Sequence, residues 1–163
     1  MAPKNTIPSL YDWAGGKEIL ENLTELFYKK VMSDDLLYPV FKNMSADHST
    51  HVAHFIAEVF GGPKLYSEGD EGSHYQMISH HLGKMLDEPK RQRWIKLLLE
   101  SADEINLADD PEFRSALVAY LEWGSRIAVI NSRESTNPLD ETEPMPSWGW
   151  GVPGGPYIPD KNN

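Results

Sequence analysis

An all-α fold is predicted, because apolar residues between Gly/Pro clusters recur at spacings of three and four and no stretch alternates as a strand would. The size agrees. A chain of 163 residues, 40% hydrophobic and 25% charged, matches one ordinary globular domain with room for a tail. The expected division is an N-terminal tail over 1–9, one domain over 10–133 and a Pro/Gly/Trp-rich extension over 134–163.

Ser9 is placed to cap a short first helix that runs through Trp13 and breaks at Gly15-Gly16. Ile19, Leu20, Leu23, Leu26, Phe27 and Val31 then mark the buried stripe of a second helix, closed by Asp34 and Asp35. A brief turn, LLYPVF, follows. From about Asp47 a further helix carries Val52, Phe55, Ile56, Val59 and Phe60, and Gly61-Gly62-Pro63 stops it. The polar, glycine-bearing segment from Lys64 to Ser73 is expected to be a loop. A short helix holds YQMISHH. After Gly83 a longer one starts near Asp87 and runs through Trp94, Leu97, Leu98, Ala102 and Ile105. Asp109, Asp110 and Pro111 signal the start of the last helix, which buries Phe113, Leu117, Tyr120, Leu121, Ile127 and Ala128 up to about Ser132.

From Glu134 onward the composition changes: six of the twelve prolines and four of the twelve glycines fall here, so helix is excluded. Trp148, Trp150 and Tyr157 are costly to leave in water. The tail is therefore expected to pack on the domain or on a second subunit, which would make a homodimer.

With no cysteine, disulfides, thiolate metal sites, iron–sulfur clusters and cysteine nucleophiles are excluded. A net charge of −10 with no basic run opposes binding to nucleic acid. Neither a signal peptide nor an apolar run of membrane-spanning length is visible, so a cytoplasmic protein with no membrane partner is expected. Paired carboxylates, a Ser-His-Asp arrangement, a phosphate loop and an HExxH helix are all missing from the sequence.

The six histidines are the natural place to look for chemistry. His48, His51 and His54 lie three apart, which on a helix spreads them over about 120°, too wide for one zinc ion without further ligands. A polar helix face is the simpler reading. His80 and His81 are adjacent, so on a helix they point about 100° apart and only one can face an apolar interior. His81 is the better candidate, as a hydrogen-bonded core residue or as a ligand. Tyr28, Phe41, Phe55, Phe60 and Trp94 supply aromatic groups from separate helices, and the polar tips of Tyr28 and Trp94 would need partners if buried.

The order of LYDWAGG at Leu10–Gly16, LFYKKV around Tyr28, LLYPVF ending at Phe41, FGGPKLYSE from Phe60, HHLGKML from His80, RQRW ending at Trp94, and DDPEFRSALVAYLEWGSRIAV resembles the truncated hemoglobins, and within them the second group. A histidine thirteen residues before a tryptophan is part of that pattern. The resemblance covers roughly residues 10 to 132. It implies a shortened globin, a two-over-two helical sandwich around heme b (iron protoporphyrin IX).

The resemblance also implies roles. His81 would be the proximal iron ligand, Phe41 the ring stacked on the porphyrin, and Tyr28 and Trp94 the distal hydrogen-bond donors, with His48, Val52 and Phe55 lining the distal helix. Phe60, Met77 and Met85 would contact the heme, and Tyr66, His51 and His80 would lie near its propionates. Two departures stand out. His48 occupies a position often small or apolar in this group, where it could donate, gate entry or bind the iron. Phe41 lacks the hydroxyl of some relatives, so the distal network would rest on Tyr28 and Trp94.

A nitrogen donor, an apolar slot and an open sixth position with donors beside it are what heme needs to hold a gas. One reading is a protein that binds dioxygen, or NO or CO, reversibly and with high oxygen affinity, for storage, transport or sensing. A second is redox turnover at the same heme, as a nitric oxide dioxygenase or a peroxidase-like enzyme. Since the chain has no flavin or nicotinamide domain, that reading needs an external reductase. A third is a helical interaction module whose aromatics are core.

Overall fold

The computed structural model describes residues 7–151, and every regular element among them is helical. Helix α1 (Leu10–Ala14) begins where the Ser9 hydroxyl accepts the Asp12 N–H at 3.0 Å, and it ends at Gly15, whose φ of 114° is left-handed. Helix α2 (Lys17–Met32) buries Leu20, Leu23, Thr24, Phe27, Tyr28 and Val31, a single stripe at three-and-four spacing. Asp34 accepts the Leu36 and Leu37 N–H groups and turns the chain into the four-residue α3 (Tyr38–Phe41).

Helix α4 (His48–Val59) runs into the glycine pair, and each glycine is needed there for its own reason. Gly61 has a φ of 90°, and a Cβ on Gly62 would sit 2.6 Å from the Tyr11 ring, so α1 can lie on this turn only while that position stays bare. The segment expected as a loop contains one turn of π-helix, Leu65–Gly69. Its fixed shape comes from Glu58, whose carboxylate accepts both the N–H and the hydroxyl of Ser67.

Helix α5 (His74–Ser79) is capped by Ser73 and ends before the two histidines expected inside it. The chain there tightens into turns, with His81 N–H on the Ile78 carbonyl, Leu82 on Ser79 and Lys84 on His81, and Gly83 at a φ of 73°. Asp87 caps α6 (Glu88–Glu104), and Asp110 caps α7 (Pro111–Ser132) with Pro111 at the first position, as the sequence predicts.

The stripe of α2 lies across α4 and α6, and α6 packs on α7. Phe27 is 0% exposed at the first of these contacts. Burying it contributes about 1.5–3 kcal/mol. The Thr24 hydroxyl donates to the Ser49 carbonyl at 2.9 Å and ties α2 to α4. The Arg91 guanidinium, 4% exposed, meets Glu88, Glu122 and Ser125 and ties α6 to α7.

The extension packs on its own domain. Trp148 donates its backbone N–H to the Val59 carbonyl at 2.8 Å and its indole N–H to the Ala116 carbonyl at 3.1 Å, with its ring against Tyr120 and Trp123. The Trp150 indole donates to the Pro8 carbonyl at 2.8 Å and stacks edge-on to Trp13 and Phe113. Tyr157 lies outside the described residues. Among those described, no helix is long and apolar enough to cross a membrane.

Candidate functional site

The packing of α2 on α4 and α6 brings together the aromatic groups singled out in the sequence. Phe27 is the hub: its ring lies edge-on to Tyr28 at 4.8 Å and to Trp94 of α6 at 5.4 Å. The Tyr28 ring in turn meets Phe41 at 5.7 Å and His48 of α4 at 4.9 Å. The Tyr28 hydroxyl lies 3.1 Å from His48 Nε2. Tyr28 is 5% exposed, and burial pushes its phenol well above the ordinary range, so it stays protonated. Burial also lowers the pKa of His48, helped by the charges of His80 and His51 against the opposing pull of Asp47. Both members of the pair are therefore neutral at physiological pH. Val52 and Phe55 follow on α4, half-buried and buried respectively, and Trp94 is half-buried against the same core.

His81 sits in the turn beyond α5. Burial, followed by the neighbouring charge of His80, brings its imidazole down to about 4, so it too is neutral. Its Nδ1 is buried and makes no hydrogen bond of normal geometry, although the Met77 carbonyl four residues back faces it and raises the pKa slightly. A structural core histidine looks different here: His54 holds Asp70 at 2.7 Å and Glu21 at 3.4 Å. A neutral imidazole left out of such a network keeps a lone pair for a metal.

The remaining candidates are spread around this centre. Met77 is partly buried against the core, and Phe60 is buried with its ring edge-on to Tyr120. Tyr66 is 4% exposed, its ring against Phe55, so it is a packed residue and not one at an open rim. His80 is exposed, as is Met85 at 64%, and His51 pairs with Asp47 at 3.5 Å. The three histidines of α4 go to three different partners, Tyr28, Asp47 and Asp70. Among the described residues no three potential ligands gather as a metal site.

Three residues were not anticipated. Phe27 is visible in the sequence only as one more stripe residue. Lys84, three positions after His81, lies near enough for its charge to act on both His81 and His48, and spacing alone would have marked it. Asn137 sits in the extension, where no periodicity points to it. The open groove lined by Arg91, Ile95, Leu99 and Glu122 contains none of the expected residues.

These observations fit a heme. His81 would hold the iron, and Tyr28, His48 and Trp94 would be the polar groups of an apolar cluster available to a gas. Known proteins agree. The bacterial-like globin family matches residues 9–124. The group 2 truncated hemoglobin YjbI of Bacillus subtilis is 28% identical over 120 residues, covering 74% of this chain and 87% of that protein. The structure of the truncated oxygen-avid haemoglobin from Bacillus subtilis superimposes with a TM-score of 0.65 at 26% identity, covering 75% of this chain and 99% of that one. The group II truncated hemoglobin from Bacillus anthracis gives a TM-score of 0.69 at 20% identity, over 80% of this chain and 97% of that one, which speaks for the fold alone. A buried imidazole outside any ion pair, a cluster of packed rings and a match over residues 9–124 converge on one assignment: the chain belongs to the bacterial-like globin family of heme proteins that bind diatomic gases.

Proposed function

We propose that the protein binds dioxygen reversibly and tightly at heme b held by His81, with Tyr28, His48 and Trp94 as the polar groups facing the gas. The observation that carries this reading is the contrast between His81 Nδ1, buried without a normal hydrogen bond, and the fully engaged His54. Heme, when bound, supplies iron that accepts a diatomic ligand and shifts electron density onto it.

The protein's part is to place neutral donors where that density appears. His48 and Tyr28 share one hydrogen bond, so the tautomer of His48 decides what Tyr28 can offer. With the proton on Nε2, His48 donates to the phenol oxygen and the Tyr28 O–H is released toward the gas. With the proton on Nδ1, the phenol donates to His48 and is withdrawn. The first arrangement suits tight binding, because the phenol that donates outward is itself polarised by a donor. The indole of Trp94, fixed by Phe27, supplies a second N–H. On the polar edge, the His51 ring and the Lys84 ammonium are donors available to the heme carboxylates, whereas the Tyr66 ring packs edge-on against Phe55. The truncated haemoglobin from Bacillus subtilis whose structure is described as oxygen-avid supports the same direction.

The visible spectrum of the full-length protein tests this, ferric and dithionite-reduced, beside His81→Ala. A Soret band and a five-coordinate ferrous form in the parent, with the histidine-ligated spectrum lost in the variant, are expected. A six-coordinate ferrous form would assign His48 to the iron, and an unaltered spectrum in His81→Ala would remove His81 as the ligand.

A further inference from the structure

Helix α5 is six residues long, too short to persist without outside support, and it buries only Ile78, which lies outside the main core cluster. Among the described residues it packs on no other helix as α2 packs on α4. Its polar anchors come from the segment beyond α7. Asn137 Nδ2 donates to the Tyr75 carbonyl at 2.8 Å and to the Ser79 hydroxyl oxygen at 2.9 Å. The Ser79 hydroxyl donates to that same Tyr75 carbonyl at 3.0 Å, so its lone pairs are free for the second amide hydrogen, and the three groups close a consistent triangle. Asn137 is itself fixed, because its Oδ1 accepts the Leu139 N–H at 2.9 Å in an Asx turn.

The same segment reaches the other end of α5, where Glu143 and the Pro144 carbonyl face His74. Beyond His81 the chain is pinned as well. Met85 N–H donates to the Ser132 carbonyl at 3.1 Å and Leu86 N–H to the Ser132 hydroxyl at 2.9 Å. Met85 takes a φ of 51°, a conformation a non-glycine residue keeps only where its surroundings impose it. Asn137 and Ser132 both lie past residue 124, where the family match ends.

We infer that Asn137 is a positioning residue: from the extension it fixes the last turn of α5 and so sets the direction in which His81 presents its ring to the iron. The inference rests on the reading of His81 as the axial ligand. Shape and charge point to asparagine in particular, since a carboxylate there would face the Tyr75 carbonyl with no proton to give.

The test is Asn137→Asp in the full-length, heme-loaded protein, a change that keeps the side-chain outline and the acceptor for Leu139 but removes both donors. Two properties are read, the iron–histidine stretching band of the ferrous form and the hydrogen exchange of amides 78–82. The band is expected to shift and broaden, and those amides to exchange about tenfold faster. Asn137→Gln, which restores an amide, should recover part of both changes. A band and exchange rates equal to the parent's in Asn137→Asp overturn the inference and leave the ligand assignment standing. An iron–histidine band missing from the parent, or surviving in His81→Ala, overturns the assignment beneath it. If Asn137→Asp does not retain heme, Ser79→Ala, which deletes one acceptor, carries the same test with a smaller shift expected, and no shift overturns the inference.

Discussion

The ring cluster around Phe27 and the turn that carries His81 are built by opposite means. Phe27, Tyr28 and Trp94 stand on α2 and α6, helices of 16 and 17 residues, and their positions follow from rings packed on rings. His81 stands past the end of a six-residue helix, and its position follows from a few hydrogen bonds made by Asn137 and Ser132. Dense packing fixes an angle without any one polar contact being essential, because many dispersion contacts share the task. Hydrogen bonds fix one through a few atoms, so a single substitution can release it. The difference teaches that the placement of Tyr28 and Trp94 should respond to volume and that of His81 to polarity.

The largest effect should come from Phe27→Ala. It empties a fully buried site and should cost about 3–5 kcal/mol of unfolding free energy in a denaturant titration. A cost near 1 kcal/mol would show that the ring cluster is not the rigid half. Next, Tyr28→Phe keeps the ring and deletes the hydroxyl, and stopped-flow should show oxygen leaving about tenfold to a hundredfold faster. Trp94→Phe should act in the same direction, and unchanged rates in both would remove these residues as donors. The smallest effect should be that of Thr24→Val, which deletes the α2–α4 hydroxyl tie in a nearly isosteric way and should cost about 1 kcal/mol. The iron–histidine band should stay in place. A band that moved as far as in Asn137→Asp would erase the distinction between the two regions.

The sequence showed the packed half far better than the pinned half. Apolar spacing alone located α2, α4, α6 and α7, because a stripe at three and four is what a helix buries. The caps at Ser9, Asp87 and Asp110 were legible for the same local reason. His81 could be singled out as the histidine on an apolar stripe, and the resemblance gave it the role of ligand, even though the helix meant to carry it ends at Ser79. The π-helical turn was not legible, since its shape depends on Glu58 from another element. Asn137 was not legible either. Nothing in a Pro-rich, aperiodic stretch says which carbonyls will come within reach, and that contact spans 62 positions.

The extension also bears on the order in which the fold is completed. The Trp148 indole meets Ala116 across 32 positions, whereas the Trp150 indole meets Pro8 across 142. That is about two doublings of loop length, so the second contact closes at an entropic disadvantage of about 1.2 kcal/mol relative to the first. The strap is therefore expected to zip onto α7 early and to seal against the start of the chain last, and on unfolding the Pro8 end should be the first to open. A protease acting on the native protein would accordingly find its earliest purchase near Trp150, while the interior helices were still intact.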